Sequence, residues 1–277
     1  MSARRRSAAL RRTFWLIGLA GLGYAALLVW VWTGRTELTV RSEALSETRR
    51  VTLFGVNTQQ YNPRSAMIYA LDGDKMRNGL LPAAHGILIA WVFGEQGPLL
   101  IAIHDEGRRD VDFRPARVRP AAWRPTISGR GAAFDVFLLK ELRTEIERHS
   151  VLAGPRHGLP GRRFLFGHSL GGFYALDMPT RQRQHGFDGI FAFSPTFSHD
   201  LSLLDRLQDA CTNSRHLYAN IGVESGRDTK LFDQVQKLVD GQPTCRGKFT
   251  VARHPAMLHQ IVMLTGQVAA FWLIYRD

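Results

Sequence analysis

The segment that most constrains the fold is FLFGHSLGGFY, residues 164–174. An apolar run of strand length ends at Gly167, Ser169 follows, and an apolar stretch of helical length begins at Leu170. A strand that turns this sharply into a helix leaves little room for side chains beside the turn, so glycine is favoured at 167 and at 171. The pattern predicts a strand–turn–helix unit in which Ser169 stands exposed at the carboxyl end of the strand.

Strand-like and helix-like segments alternate on both sides of this unit. Strands are predicted at residues 51–56, 66–71, 99–104, 162–166, 189–193, 217–223 and 248–252. Helices are predicted at residues 83–93, 132–149, 170–178, 201–208, 230–240 and 261–275. Three prolines predict a long loop at residues 114–130. This alternation favours an α/β fold with a mostly parallel central sheet and helices on both faces.

The N-terminal segment differs from the rest of the chain. Residues 13–32 carry no charge and number about 20, the length at which a helix can cross a bilayer. Five arginines precede them, which favours a cytoplasmic N-terminus over residues 1–12. A cleaved signal peptide is the alternative, although its apolar region is shorter and ends in small residues. We therefore expect one uncleaved helix in the inner membrane, a linker at 33–48 and a periplasmic domain at 49–277.

The formal net charge of +12 indicates which partners to expect. After residue 40 the arginines are scattered and no nucleic-acid-binding motif is present, so no nucleic-acid partner is expected. An arginine-rich composition explains the charge, and a positive field that attracts an anionic substrate is the functional interpretation. Histidines and acids lack the spacing of metal ligands, so neither a metal nor a cofactor is predicted.

Ser169 needs a base and an acid if it is to act as a nucleophile. In folds of this kind the acid and then the histidine follow the serine along the chain. Two histidines follow the last predicted strand, and His259 is favoured over His254 because it directly precedes the final helix. Glu224 adjoins the strand at 217–223 and is the first choice of acid. Asp228 is the alternative, and a serine–histidine pair without an acid stays open.

Other residues near Ser169 are assigned to binding. The N–H of Leu170 lies at a helix N-terminus and is expected to stabilise a developing oxyanion. A second N–H is expected from the loop after the strand at 99–104. Arg108 and Arg109 lie on that loop, and they are assigned to substrate binding together with His168.

Five segments together resemble the esterase D-type α/β-hydrolases, a family that includes periplasmic siderophore esterases. The segments are AMIYALDGD at 66–74, RDVDFRP at 109–115, FLFGHSLGGFYAL at 164–176, SPT at 194–196 and HPAMLH at 254–259. The resemblance extends from about residue 50 to the C-terminus. It implies an α/β-hydrolase fold and a serine esterase in which the last residue of HPAMLH, His259, is the base.

The cysteine pair follows from this fold. Cys211 and Cys245 each lie shortly before a strand, at 217–223 and 248–252. Those strands are expected to be parallel neighbours, which places their starts about 5 Å apart and within the reach of a disulfide. We predict a disulfide at the edge of the sheet opposite Ser169.

The leading hypothesis is a membrane-anchored periplasmic serine esterase that hydrolyses an ester or lactone of a siderophore, in particular of its anionic ferric complex. One alternative is a hydrolase or acyltransferase that acts on another acyl ester or thioester. The other is a non-catalytic binding protein built on a hydrolase frame.

Overall fold

A computed structural model describes residues 3–56, 66–149, 161–223 and 226–276. Eight strands in this part of the chain form one sheet, in the order β1-β2-β4-β3-β5-β6-β7-β8. The strands are β1 (Thr36–Ser42), β2 (Glu47–Phe54), β3 (Ala66–Ala70), β4 (Leu99–Ile103), β5 (Arg162–His168), β6 (Gly189–Phe193), β7 (His216–Val223) and β8 (Phe249–Leu258). Strands β3 to β8 run parallel, and β2 is antiparallel to both of its neighbours.

Helices precede, connect and follow these strands. They are α1 (Ala3–Thr33), α2 (Leu80–Val92), α3 (Arg109–Asp112), α4 (Gly131–Val136), α5 (Leu142–Arg148), α6 (Leu170–Arg181), α7 (Ser202–Asn213), α8 (Gly226–Gly241) and α9 (His259–Arg276). A π-helical turn, Phe137–Glu141, joins α4 to α5. Helix α6 extends to Arg181, past its predicted end at residue 178, although Pro179 lacks the N–H for one helical hydrogen bond.

The sheet separates two apolar cores, as its alternating side chains require. On β3, Met67 and Tyr69 belong to the larger core, which also takes in α4 to α8. Ile68 belongs to the smaller core, which is covered by α2 and α9. Burial on both faces explains why the central strands are continuous apolar runs, and it confirms the predicted α/β class.

Residues 33–48 do not form the predicted linker. They contain β1 and the start of β2, which pair in antiparallel register from Thr36 opposite Leu53 to Ser42 opposite Glu47. Leu38 and Val40 point into the larger core, and the residues that alternate with them, Glu37, Thr39 and Arg41, face solvent. The linker prediction is wrong because it took this alternation of a half-buried strand for a polar spacer.

Helix α1 includes residues 13–32, the predicted membrane span. Among the described residues, no helix has both the length and the apolarity that crossing a membrane requires. The C-terminal part of α1 contacts the folded domain, where the Tyr24 hydroxyl lies 2.9 Å from His85 Nε2 on α2. Val31, two turns further along, is buried in the smaller core.

The disulfide prediction is confirmed. Cys211 at the end of α7 is bonded to Cys245, and their Cα atoms are 5.0 Å apart. Strands β7 and β8 are parallel neighbours, with Leu217 opposite Phe249 near their starts. The bond therefore lies at the amino ends of these strands, and Ser169 follows the carboxyl end of β5.

Candidate active site

Ser169 occupies the turn between β5 and α6 with φ 57° and ψ −117°. A non-glycine residue rarely adopts this backbone conformation, which costs about 1–3 kcal/mol. A Cβ on Gly167 would lie 2.2 Å from the carbonyl oxygen of Gly171, so only glycine fits at position 167. A Cβ on Gly171 would meet its nearest atoms at 3.4 Å, an ordinary contact. Of the two glycines in the motif, only Gly167, before the serine, is therefore required for steric reasons.

The loop after β6 holds this turn in place. The N–H of Ser169 donates a hydrogen bond to the carbonyl of Phe193 at 2.9 Å. The N–H of Thr196 donates in return to the Ser169 carbonyl at 3.2 Å, and the two side-chain oxygens are 3.1 Å apart. These contacts stabilise a backbone conformation that is unfavourable on its own.

Ser169 and His259 line one cavity of about 270 Å³. Asp228, on the first turn of α8, lines the same cavity. The structure thus brings together the predicted nucleophile, the predicted base and the alternative acid at the carboxyl ends of β5, β7 and β8. Glu224, the first choice of acid, lies outside the described residues.

The base is the first residue of α9 and directly follows β8. The segment between His254 and His259, which lies beyond the predicted strand at 248–252, belongs to β8, which pairs with β7 up to Val223 opposite Leu258. A register irregularity between Ile221 and Val223 lets β8 continue past the predicted end of the strand. His259 therefore lies at the junction of β8 and α9.

His168, predicted to bind substrate, packs against His259. Its side chain is buried, its ring centroid is 4.7 Å from that of His259, and its Nε2 is 3.3 Å from the His259 carbonyl oxygen. Burial, with smaller contributions from the charges of His259 and Arg77, lowers the pKa of His168 to about 3. A carbonyl oxygen can only accept, so the neutral ring donates through Nε2. His168 is not among the residues that line the cavity, and its contact supports the backbone of the base.

The sheet order changes the expectation for the oxyanion site. Leu170 is the first residue of α6, so its N–H is at the helix N-terminus, as predicted. The second N–H was expected from the loop after β4, but β3 and not β4 is the neighbour of β5. The Asp72 carboxylate, on the loop after β3, would lie 3.4 Å from a Cβ on Gly171. The loop beside the elbow is therefore the one after β3.

The two predicted binding arginines occupy different environments. Arg109 donates from Nε and Nη2 to the two carboxylate oxygens of buried Asp72, at 3.0 and 2.9 Å. This pair fixes the loop after β3 and uses two of the guanidinium donors. The Arg108 side chain is 62% exposed, and its nearest carboxylate is that of Glu47 at 3.9 Å. Neither arginine is among the residues that line the cavity of Ser169.

Sequence reasoning missed two basic residues of the cavity, Arg124 and His199. Arg124 comes from the proline-rich loop, and its Nε donates to the Ser198 hydroxyl at 3.0 Å. Burial, followed by the charges of Arg114 and Arg124, lowers the pKa of His199 to about 4. The ring is therefore neutral at physiological pH. No spacing in the sequence placed this loop against the serine.

Comparisons with known proteins address the fold. No family model matches the chain, and no curated protein sequence matches it. An IroE-like serine hydrolase from Shewanella oneidensis superposes with a TM-score of 0.69 at 20% identity, covering 88% of this chain and 80% of that one. The chain has the α/β-hydrolase fold.

Two further structures support that assignment. The siderophore hydrolase EstA from Aspergillus nidulans gives a TM-score of 0.69 at 19% identity, covering 87% of this chain and 94% of that one. The enterobactin esterase FES from Shigella flexneri gives a TM-score of 0.63 at 15% identity, covering 86% of this chain and 59% of that one. At these identities the likeness concerns the fold, which agrees with the resemblance drawn from the sequence motifs.

Proposed function

We propose that this chain is a serine esterase that hydrolyses an ester or lactone bond. The observation that carries the proposal is the position of Ser169, held in a strained turn and lining one cavity with His259 and Asp228. A serine on such an elbow presents its hydroxyl to a substrate, and a histidine across the same cavity can take its proton.

The reaction follows the acyl-transfer sequence. Ser169 Oγ attacks the ester carbonyl while His259 accepts the hydroxyl proton, and the N–H of Leu170 stabilises the oxyanion. The C–O bond of the ester then breaks, and His259 returns the proton to the leaving alcohol. Water hydrolyses the acyl-enzyme by the same steps and releases the acid. The loop after β3, through the N–H of Asp72, supplies the second oxyanion donor.

Two carboxylates are candidates for orienting His259. Asp228 lines the cavity with the base, and Glu224 follows β7 directly in the sequence. A carboxylate in this role holds the imidazole in the productive tautomer and stabilises the imidazolium that forms. We assign the role to one of these two residues.

We infer that the substrate is a siderophore ester or lactone. Structures with the same fold are named siderophore hydrolase and enterobactin esterase, and the latter was determined in the presence of 2,3-dihydroxy-N-benzoyl-serine. Ferric catecholate complexes are anionic. The cavity of Ser169 contains Arg124, and Arg114 is close enough to influence His199. A basic chain with an arginine beside the nucleophile suits such a substrate.

We also propose that the N-terminal segment, residues 1–32, anchors the chain at the inner membrane with the catalytic domain in the periplasm. The charge-free run at 13–32, the basic residues before it and the disulfide support this location, since disulfides persist in oxidising compartments. Alkaline phosphatase fused to the C-terminus should be active in cells. An inactive fusion together with a fluorescent cytoplasmic reporter would place the domain in the cytoplasm instead.

Labelling with a fluorophosphonate probe tests the proposed chemistry. The wild-type protein should be labelled at one serine, and tryptic mass spectrometry should locate the label on Ser169. The Ser169→Ala variant should stay unlabelled, and Ser194→Ala should still be labelled. A folded wild-type protein that resists the probe would favour a non-catalytic binding protein.

A further inference from the structure

A second cavity of about 480 Å³ adjoins the cavity of Ser169. Arg124 and Asp228 line the cavity of the nucleophile, whereas the residues before them in the chain, Trp123 and Arg227, line the second one. We call the second cavity the outer groove. Its walls include Trp123, Leu201, Leu204, Arg227, Lys230 and Leu231.

Backbone hydrogen bonds fix one wall of the outer groove. The N–H of Ala121 donates to the Ser198 carbonyl at 2.9 Å, and the N–H of Leu201 donates to the Arg119 carbonyl at 2.7 Å. The N–H of Arg119 donates to the Asp200 carboxylate at 2.8 Å. These bonds hold the proline-rich loop against the segment after β6, so the groove is formed before a ligand binds.

The groove combines an apolar surface with positive charge. Trp123 is 42% exposed, and the Arg227 guanidinium lies 5.1 Å from the centroid of its ring. Lys230 follows Arg227 by one helical turn on α8. The one acid of the groove, Asp205, is paired with Arg119 at 2.6 Å. Among the described residues, no carboxylate forms an ion pair with Arg227 or Lys230.

From these contacts we infer that the outer groove binds an anionic aromatic portion of the ester, an inference that rests on the proposed esterase function. A flat ring buries its faces against Trp123 and the leucine side chains, and its negative charge pairs with Arg227 and Lys230. Arg124 has its Nε committed to Ser198, which leaves its terminal amino groups for the segment that joins the ring to the reacting carbonyl. The groove thereby selects substrates by charge at a distance from the bond that is cleaved.

Two 4-nitrophenyl esters of equal size test this inference. One is the 4-nitrophenyl ester of N-(4-carboxybenzoyl)glycine, in which a glycyl segment joins a carboxylate-bearing ring to the reacting carbonyl, and the other is the ester of N-(4-carbamoylbenzoyl)glycine, its neutral counterpart. We expect the wild-type protein to prefer the anionic ester in kcat/KM. Arg227→Gln and Lys230→Gln should each lower the anionic-to-neutral ratio about five-fold, the effect of one exposed charge pair. The double variant should lower it by about twenty-fold, and added salt should reduce the wild-type preference.

Lys237→Gln is the matched control. It removes the same charge from the same face of α8, two turns or about 10 Å beyond Lys230 and outside the groove. This control should keep the wild-type ratio. Groove variants that keep the wild-type ratio would overturn the inference, as would an equal loss in the Lys237→Gln control.

A binding measurement separates failure of the groove from failure of the esterase. Calorimetry on Ser169→Ala needs no turnover when the probe is N-(4-carboxybenzoyl)glycinamide, which keeps the ring carboxylate and has an amide in place of the ester. Weaker binding after adding Arg227→Gln and Lys230→Gln would support the groove even if no ester is hydrolysed. Unchanged binding would refute the groove even if the protein is an active esterase.

Discussion

His168 Nε2 lies 3.3 Å from the carbonyl oxygen of His259, and the two rings are tilted against each other with centroids 4.7 Å apart. The buried, neutral His168 thus donates a hydrogen bond to the backbone of His259, the proposed base. It joins the nucleophile elbow to the first turn of α9, because it is the residue directly before Ser169. The contact couples the positions of the two reacting groups.

This contact predicts a pH dependence of stability. The pKa of His168 is about 3 in the folded protein, against an ordinary value of about 6.5. Between these values only the unfolded chain binds a proton at this site, so stability falls as the pH is lowered below about 6.5. His85, His185 and His199 have lowered pKa values and add to the same trend.

Urea unfolding of wild type and His168→Phe between pH 7 and pH 5 measures the contribution of His168. The free energy of unfolding of the wild type should fall more steeply with decreasing pH, by up to about 1.4 kcal/mol per pH unit. The variant should also show a lower kcat with little change in KM, because the base loses its support. Parallel slopes for the two proteins would contradict the assignment of a neutral His168.

The two glycines of the elbow should differ in their tolerance of alanine. Gly167→Ala places a methyl group 2.2 Å from the Gly171 carbonyl oxygen, so the elbow must deform and activity should be lost. In Gly171→Ala the nearest atoms are 3.4 Å away, and the variant should fold and keep a substantial part of its activity. Esterase assays with circular dichroism spectra would check both, and equal damage by the two substitutions would count against this geometry.

The acid can be assigned by two isosteric variants. If Asp228 orients His259, Asp228→Asn should lower kcat by two to four orders of magnitude, by roughly the effect that loss of a triad acid has in serine hydrolases. Glu224→Gln should then have a small effect. The reverse result would assign the role to Glu224, and wild-type kcat in both variants would show that the pair of Ser169 and His259 works without an acid.

Removal of the disulfide should affect stability and not turnover. The bond closes a loop with a sequence separation of 34, which the chain-entropy model values at about 4 kcal/mol. The double variant Cys211→Ala, Cys245→Ala should melt at a lower temperature and keep its kcat at 25 °C, because the bond lies at the edge of the sheet opposite Ser169. A kcat that falls in parallel with stability would mean that the bond also shapes the site.

Much of the fold follows from the sequence because its strands are buried on both faces. Such strands appear as apolar runs, and β6 was predicted with its observed limits, Gly189–Phe193. Strand β1 and the first residues of β2 were missed because their polar residues resemble a linker, and the strand predicted at 51–56 covers only the rest of β2. The continuation of β8 to Leu258 was missed because it depends on a register irregularity against β7, a tertiary feature.

The candidate site, like the fold, could be predicted only in part. Ser169, Leu170 and His259 are placed by local features, namely a strand–turn–helix unit and the start of the last helix. Arg124 and the outer groove depend on how a proline-rich loop packs against the segment after β6, which no local pattern specifies. Arg109 has a suitable charge, but its pairing with Asp72 depends on the order of strands in the sheet.

Hydrolysis of a ferric catecholate trilactone by the purified protein tests the central claim most directly. Liquid chromatography with mass spectrometry should show the linear hydrolysis products with the wild-type protein. In Ser169→Ala, in His259→Ala and in the double variant, kcat should be lower by several orders of magnitude and by similar factors, because the two residues act as one unit. Turnover by Ser169→Ala at the wild-type rate, or a folded wild-type protein that cleaves neither the ferric nor the iron-free trilactone, would contradict the account.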